Sequence, residues 1–466
     1  MAFASLVGAQ TLQTLVSFNS ANGANPRAGL TLGNDGNFYG TTAQGGSGGN
    51  GGAGTVFKVT TNGTLTTLVS FAYTCGFGTF PVPSALTLGR DGNLYGTTFQ
   101  GGGSDCSGTI NPCGTVFKLT TNVALGKLVL QKMVSFSRTN GANPSALTLG
   151  NDGNLYGTTE LGGIKGSSGV GTVFKVTTNG TLTSLVTFNF TNGAFPAAAL
   201  TLGNDGNFYG TTEDGGNTDL NGGYGYGTVF KVTTNGTLTT LVSFNITNGA
   251  SPHAALTLGS DGNFYGTTDD GGSYDYGTIF QVTTNGVLTT LVSFNENHSA
   301  FQEAAMALGN DGNFYGTTYG GGSYNDGTIF KVTTNGTLTT LVSFNGTNGA
   351  NSYATLTLGN DGNFYGTTSQ GGIINSTYPS GLGTVFRLLI PPVVPPTLAL
   401  QFVAGCPQLN LAGMLSNNFV VQYSTNLMGT NWINLLSLTN LSSSPYLFLD
   451  PLGVGQPARF YRAIMQ

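Results

Sequence analysis

The thirteen residues LTLGNDGNFYGTT, first met at 30–42, return unchanged at 200–212 and at 356–368. A chain that repeats itself folds as a series of like units, and one such unit buries its apolar surface only against a neighbour. The Asp of the embedded Asp-Gly pair marks the register. It falls at Asp35, Asp91, Asp152, Asp205, Asp261, Asp311 and Asp361, giving seven copies at spacings of 56, 61, 53, 56, 50 and 50 residues.

Each copy holds four short segments rich in Thr, Val, Phe, Tyr and Leu: ALTLG, NFYGTT or NLYGTT, GTVFKVT or GTIFQVT, and TLTTLVSF. Their length and residue types predict strands. Asp-Gly joins the first to the second and Asn-Gly the third to the fourth; both are hairpin signals, because Gly adopts positive φ at no steric cost. The unit is therefore predicted to be one four-stranded antiparallel sheet. In TVFKVT, Val56 points one way while Phe57 and Val59 point the other, so both faces need cover. Sheets stacked face to face around an axis supply it, which predicts a β-propeller. The chain opens with an orphan fourth strand at 11–18, and the last copy stops after GTVFRLL at 383–389. Pairing these two ends predicts an all-β, seven-bladed propeller over 11–389, closed by its N-terminal strand and complete as a monomer.

The text LTLGNDGNFYGTT…GG…GTVFKVTTNGTLTTLVSF resembles the bacterial GloVer tandem repeat of "choice-of-anchor" surface or secreted proteins, over 11–389. The resemblance implies export and an appended C-terminal sorting or anchoring module, with no activity and no catalytic residues to carry over. A Pro-rich linker at 390–396 leads to 397–466, where VVQYSTNL…NW…LD…ARFYRA resembles a small fibronectin-III-like sandwich with Trp432 in its core. A cell-wall sorting motif and a final helix with a basic tail are absent from the sequence, so this module reads as either a sorting signal or a spacer. Residues 1–10 read as a residual signal peptide or as a loose tail.

Composition narrows the function. Charged residues are only 7%, and the polarity comes from Asn, Thr and Ser, as is common outside the cell. The 14 Lys and Arg are scattered and the net charge is −5, which argues against a nucleic-acid partner. No apolar run approaches the length of a membrane-spanning helix. With two His, four Cys and no Cys-x-x-Cys, a zinc site is not expected, and no cofactor is predicted. The repeated Asp is expected to cap its hairpin, the Tyr of FYGTT to pack between sheets, and the Lys of VFKVT to lie along a strand. His253 and His298 share no motif with a Ser or a carboxylate. DGGSYDYG at 270–277 has acidic spacing like a calcium loop but lacks the closing Glu.

What varies between copies is where specificity can live. The second-to-third loops run from 8 residues (269–276, 319–326) to 15 (99–113), and share a face with the fourth-to-first loops. Three of them cluster aromatics with acids: Tyr224, Tyr226 and Asp219; Tyr274, Tyr276, Asp269, Asp270 and Asp275; Tyr319, Tyr324 and Asp326. Tyr rings offer flat faces to a sugar or a peptide and carboxylates accept hydroxyl protons, which suits glycan binding; the same residues also serve to fold the loops onto the sheets. Cys75, Cys106 and Cys113 fall on one face of one unit and are predicted to form one disulfide, Cys75 with Cys106 or Cys113, or else Cys106 with Cys113, which would fit export; Cys406 is expected to be free. The sequence thus reads as a non-enzymatic exported scaffold for a protein or glycan partner. A glycan-binding propeller is the alternative, and a carbohydrate-active enzyme a weaker one.

Overall fold

A computed structural model describes residues 11–47, 52–71, 84–102, 113–122, 127–163, 169–295, 304–391, 397–403, 406–412, 419–425, 432–438, 446–450 and 459–465. Among them the structure is β throughout, apart from one 3-10 turn at Asn221–Gly223. The chain divides into two compact units, Met1–Ile390 and Pro391–Gln466.

Among the described residues the first unit holds seven antiparallel sheets, numbered 1 to 7 from the one holding Asp35 to the one holding Asp361. In sheet 4 the strands Thr201–Leu202, Phe208–Thr212, Thr228–Val232 and Leu238–Ser243 lie side by side in chain order. Sheets 1, 2, 5 and 6 repeat this order, and sheet 3 adds a fifth strand, Ala142–Pro144. Sheet 7 takes its outer strand from the start of the chain. Leu12–Ser17 pairs antiparallel with Thr384–Leu388, Leu12 opposite Leu388 and Ser17 opposite Thr384.

The repeated letters explain the sheet. Gly36, at φ 73°, turns the first hairpin in a conformation that strains any residue with a Cβ. Beside it the Asp35 carboxylate collects four donors: the Asn37 amide N–H at 3.1 Å, Asn37 Nδ2 at 2.8 Å, the Tyr39 hydroxyl at 2.9 Å and Lys58 Nζ at 2.8 Å. The Asp caps its turn as expected. The Lys was expected only to lie along its strand; instead it closes an ion pair with that Asp in sheets 1, 2, 4 and 6, with Gln281 bonding Asp261 at 3.1 Å in sheet 5. Gly40 lies opposite Phe57, whose ring sits so near that a Cβ at Gly40 would lie 2.5 Å from it. Past it, Thr42 and Thr55 bond through their hydroxyls at 2.9 Å while fully buried, so this core satisfies its own polar groups.

Neighbouring sheets are joined in two ways. The Tyr of one stacks on the Phe that opens the second strand of the next: Tyr156 on Phe208, Tyr209 on Phe264, Tyr265 on Phe314 and Tyr315 on Phe364, with centroids 4.0–4.5 Å apart. In every sheet but the sixth, which has Ala307 there, the Thr of the short first strand donates to a carbonyl of the next sheet: Thr31 to Leu86, Thr87 to Leu147, Thr148 to Leu200, Thr201 to Leu256 and Thr257 to Met306. Sheet 7 meets sheet 1 through the same contacts, Tyr365 on Phe38 at 4.0 Å and Thr357 to the Leu30 carbonyl at 2.6 Å.

Among the described residues the second unit holds two three-stranded antiparallel sheets. One is Thr397–Val403, Cys406–Ala412 and Tyr446–Leu449; the other is Ile433–Leu438, Phe419–Ser424 and Phe460–Met465. Leu409 and Leu411 of the first and Val421 of the second share one buried cluster. Trp432 is not in it, contrary to the expectation from sequence. It is half-exposed, and the Arg462 guanidinium lies 4.3 Å from its ring centroid. At this half-buried position the indole face stacks a cation in place of core packing.

Candidate functional site

In sheets 1, 4, 5 and 7 the backbone bridges Ala24–Gln44, Ala194–Asp214, Ala250–Asp270 and Ala350–Gln370 tie the segment entering the first strand to the loop leaving the second strand. Both loop families therefore share the end of the sheets opposite the Asp-Gly turns.

On that end three of the expected tyrosines occupy one register in consecutive sheets. Tyr224, Tyr274 and Tyr324 recur at a spacing of 50 residues and are 56%, 61% and 65% exposed. Tyr224 leans edge-on against Phe190 at 5.5 Å. Tyr276 is also exposed, whereas Tyr226 is half-buried against the core of sheets 4 and 5.

The expected acidic residues are tied into the loops, Asp275 through its carboxylate and the others through their backbones. Asp275, at φ 61°, accepts from the Gly271 N–H at 3.1 Å, as Asn325 does from Gly321 at 3.1 Å in the next sheet. Asp269 and Asp270 bond through their backbone N–H groups to Ser251 and Ala250, at 3.2 and 3.1 Å. Asp219 is exposed, and its N–H donates to Asn217 at 3.1 Å. The Asp326 carbonyl accepts from the Asn351 N–H at 2.8 Å. Burial raises the proton affinity of the Asp326 and Asp270 carboxyls, and for Asp270 the charges of Asp275 and Glu213 add to it.

Tyr319 stands apart from the other tyrosines. Its ring lies 4.8 Å from that of Tyr353, over which the Arg27 guanidinium sits at 5.0 Å. In the neighbourhood of sheets 3 to 5, His253 Nε2 is 3.4 Å from Glu213 Oε2. The histidine therefore has the carboxylate partner that its sequence neighbours lack. The bond to His253 holds the Glu213 carboxyl below its ordinary range, against the opposing effect of burial. Burial and the charge of Glu213 push Glu160 above its own, although the Asn143 amide and His253 draw it back.

Reading the sequence missed Arg27, Glu160, Glu213 and Tyr353, although a signal was present. Glu160, Glu213, Asp269 and Tyr319 each follow the repeated Thr-Thr, and Arg27, His253 and Tyr353 each stand three residues before the Leu of the first segment. These are variable letters at fixed register.

Cys113 is buried; Cys75 and Cys106 lie outside the described residues, as do residues 1–10, 392–396 and His298. Among the described residues no group of three or more His, Cys, Asp or Glu is placed to hold a metal ion, and no helix is long and apolar enough to cross a membrane.

A model of the Gloeobacter/Verrucomicrobia repeat matches residues 3–113, 107–223 and 216–430. The chain belongs to that repeat family. No curated protein sequence matches this Gloeobacter/Verrucomicrobia repeat protein. Among solved structures it is similar to the BP39L lectin of Burkholderia pseudomallei, at 13% identity and a TM-score of 0.51, covering 90% of this chain and 99% of the lectin. It is also similar to a puromycin hydrolase (13% identity, TM-score 0.49), covering 86% of this chain but only 62% of the hydrolase. A polysaccharide lyase, an ulvan lyase, gives 10% identity and a TM-score of 0.47, covering 79% of this chain and 94% of the lyase. At such identities the lectin likeness is one of fold.

Proposed function

We propose that this repeat protein is an exported, non-enzymatic binding module: a closed seven-bladed β-propeller whose loop face binds a glycan, followed by a fibronectin-III-like module. The seven sheets, the pairing of Leu12–Ser17 with Thr384–Leu388 and the Tyr365–Phe38 stack support the closed ring. Export is supported by a polar surface that draws on Asn, Thr and Ser with only 7% charged residues.

One observation carries the glycan reading. Tyr224, Tyr274 and Tyr324 stand exposed at one register on three consecutive sheets. An exposed aromatic side chain forgoes its own burial, and a row of them gives a repeated flat apolar surface of the kind that stacks on sugar rings in a chain of repeating units. Glycan-array binding by the wild-type chain, lost when all three tyrosines become alanine, tests it. Absence of glycan binding in the wild type would leave a scaffold for protein partners.

A second reading, a carbohydrate-active enzyme, has one observation in its favour. Glu160 and Glu213 are pushed in opposite directions in their proton affinity, the pattern that separates a general acid from an ionised partner. Release of reducing sugar from a bound polysaccharide, abolished in Glu213→Gln, would favour it over simple binding.

A further inference from the structure

Between sheets 1 and 2, at the Asp-Gly turn end, lies a cavity of about 310 Å³. It is at the opposite end of the sheets from the exposed tyrosines, so it stands independently of the glycan reading. The repeat explains its origin. At five junctions the tyrosine of one sheet stacks on a phenylalanine of the next. At the junction of sheets 1 and 2 that phenylalanine is replaced by Leu94, and Tyr39 is left half-buried while every other repeat tyrosine is at most 1% exposed. Leucine alone does not open the gap. Leu155 makes the same replacement one sheet further on, yet Tyr95 there is fully buried, with Met133 and Leu182 packed into the same cluster. Sheet 2 also has a longer outer hairpin, Thr115–Asn122 paired with Lys127–Ser135, and its Leu119 and Leu128 help wall the cavity.

We propose that this cavity is a binding site for a small molecule with a single aromatic ring and one hydrogen-bonding substituent. The ring takes the place that phenylalanine fills at the other junctions, stacked on Tyr39 against Leu94 and Leu119. Its polar group reaches the rim, where Lys58, Asp35 and Asn93 meet solvent. An offset stack on a tyrosine face favours an aromatic ring over a saturated ring of equal size. The lining combines leucines and a tyrosine with the polar side chains of Asn34, Asp35, Lys58 and Asn93, so it offers both an apolar surface and hydrogen-bonding groups, the two elements of a small-molecule site.

Phenol and cyclohexanol, titrated against the full chain and followed by ligand-observed NMR, test the proposal. Phenol is expected to bind at least fivefold tighter than cyclohexanol. Leu94→Phe restores the residue used by the other junctions, so it is expected to fold, to unfold at a higher temperature than wild type, and to weaken phenol binding at least tenfold. Leu68→Phe, which fills the cavity from the facing wall in sheet 1, is the second variant and is expected to weaken binding likewise. No phenol binding by the wild type, phenol affinity unchanged in the folded variants, or equal affinity for the two probes would each overturn the proposal.

Discussion

The ring of Phe38, at the start of the repeat array, stacks on that of Tyr365, at its end, with centroids 4.0 Å apart and planes 29° apart. The Tyr209–Phe264 pair, inside the array, has centroids 4.0 Å apart and planes 28° apart. The junction between the last sheet and the first is thus built like an internal one. Phe38→Ala is expected to cost as much as Phe264→Ala, about 3–5 kcal/mol for a large buried ring. Guanidinium denaturation of the two variants checks this. A much smaller loss for Phe38→Ala would mean that Phe38 faces a free end.

The exposed tyrosines should act on binding alone. Tyr274→Ala removes a side chain that is 61% exposed, so stability is expected to stay within about 0.5 kcal/mol of wild type. If Tyr274 is a contact of the first rank, glycan affinity falls by more than about 1 kcal/mol. Calorimetric titration and thermal melting of the same sample separate the two effects.

Acid should loosen the array. All seven turn aspartates are held below the ordinary value of 3.8: burial pulls each upward, but the donors around it outweigh burial. A depressed folded value means that the unfolded chain takes up protons first as pH falls. Their stabilisation is therefore complete above about pH 4 and is lost progressively below it. Tyr39 and Tyr265 carry the opposite sign. Burial, then the bond to the neighbouring Asp, raises each to about 12, so their contribution is whole below about pH 10 and is lost between there and 12. The denaturation midpoint is expected to hold between pH 5 and 9 and to fall on both sides, with a shallower acid limb in Asp205→Asn. An equal midpoint at pH 3 and pH 7 would contradict this.

The second unit has its own weak point. Asp450 is fully buried and accepts from Arg459 at 2.7 Å and from the Tyr461 hydroxyl at 2.9 Å. Removing the acid leaves a guanidinium, 11% exposed, without its counter-charge. Asp450→Leu is expected to destabilise this unit by about 3–5 kcal/mol. The transition of the repeat array should not move. Calorimetry of the full chain reads both.

Much of this architecture can be read from the letters alone. Gly36 and Gly63 mark two hairpins because their positive φ strains a residue with a Cβ, and the Asp-Gly turn repeats the first of them seven times. Register is harder. That Lys58 would reach Asp35, or Thr42 meet Thr55, depends on which residues face each other across a strand pair, which a list of segments leaves open. The candidate site was legible only where it was dense. Tyr274 and its loop neighbours cluster in sequence and were noticed. Glu213 and His253 lie in different repeats and are brought together only by packing between sheets. What Leu94 leaves unfilled in place of phenylalanine depends on Leu119, Leu128 and Tyr39 around it, which the segment NLYGTT does not show.

The proposed closure of the ring is tested most directly by nitroxide labels at Gln13 and Arg387, in a chain whose four native cysteines have been replaced. These residues face each other across the pairing of the first strand with the last, and such partners sit about 5 Å apart between Cα atoms. Continuous-wave EPR at low temperature is expected to give strong dipolar broadening relative to either single label. Spectra of the double-labelled chain that equal the sum of the singly labelled ones would contradict a closed ring.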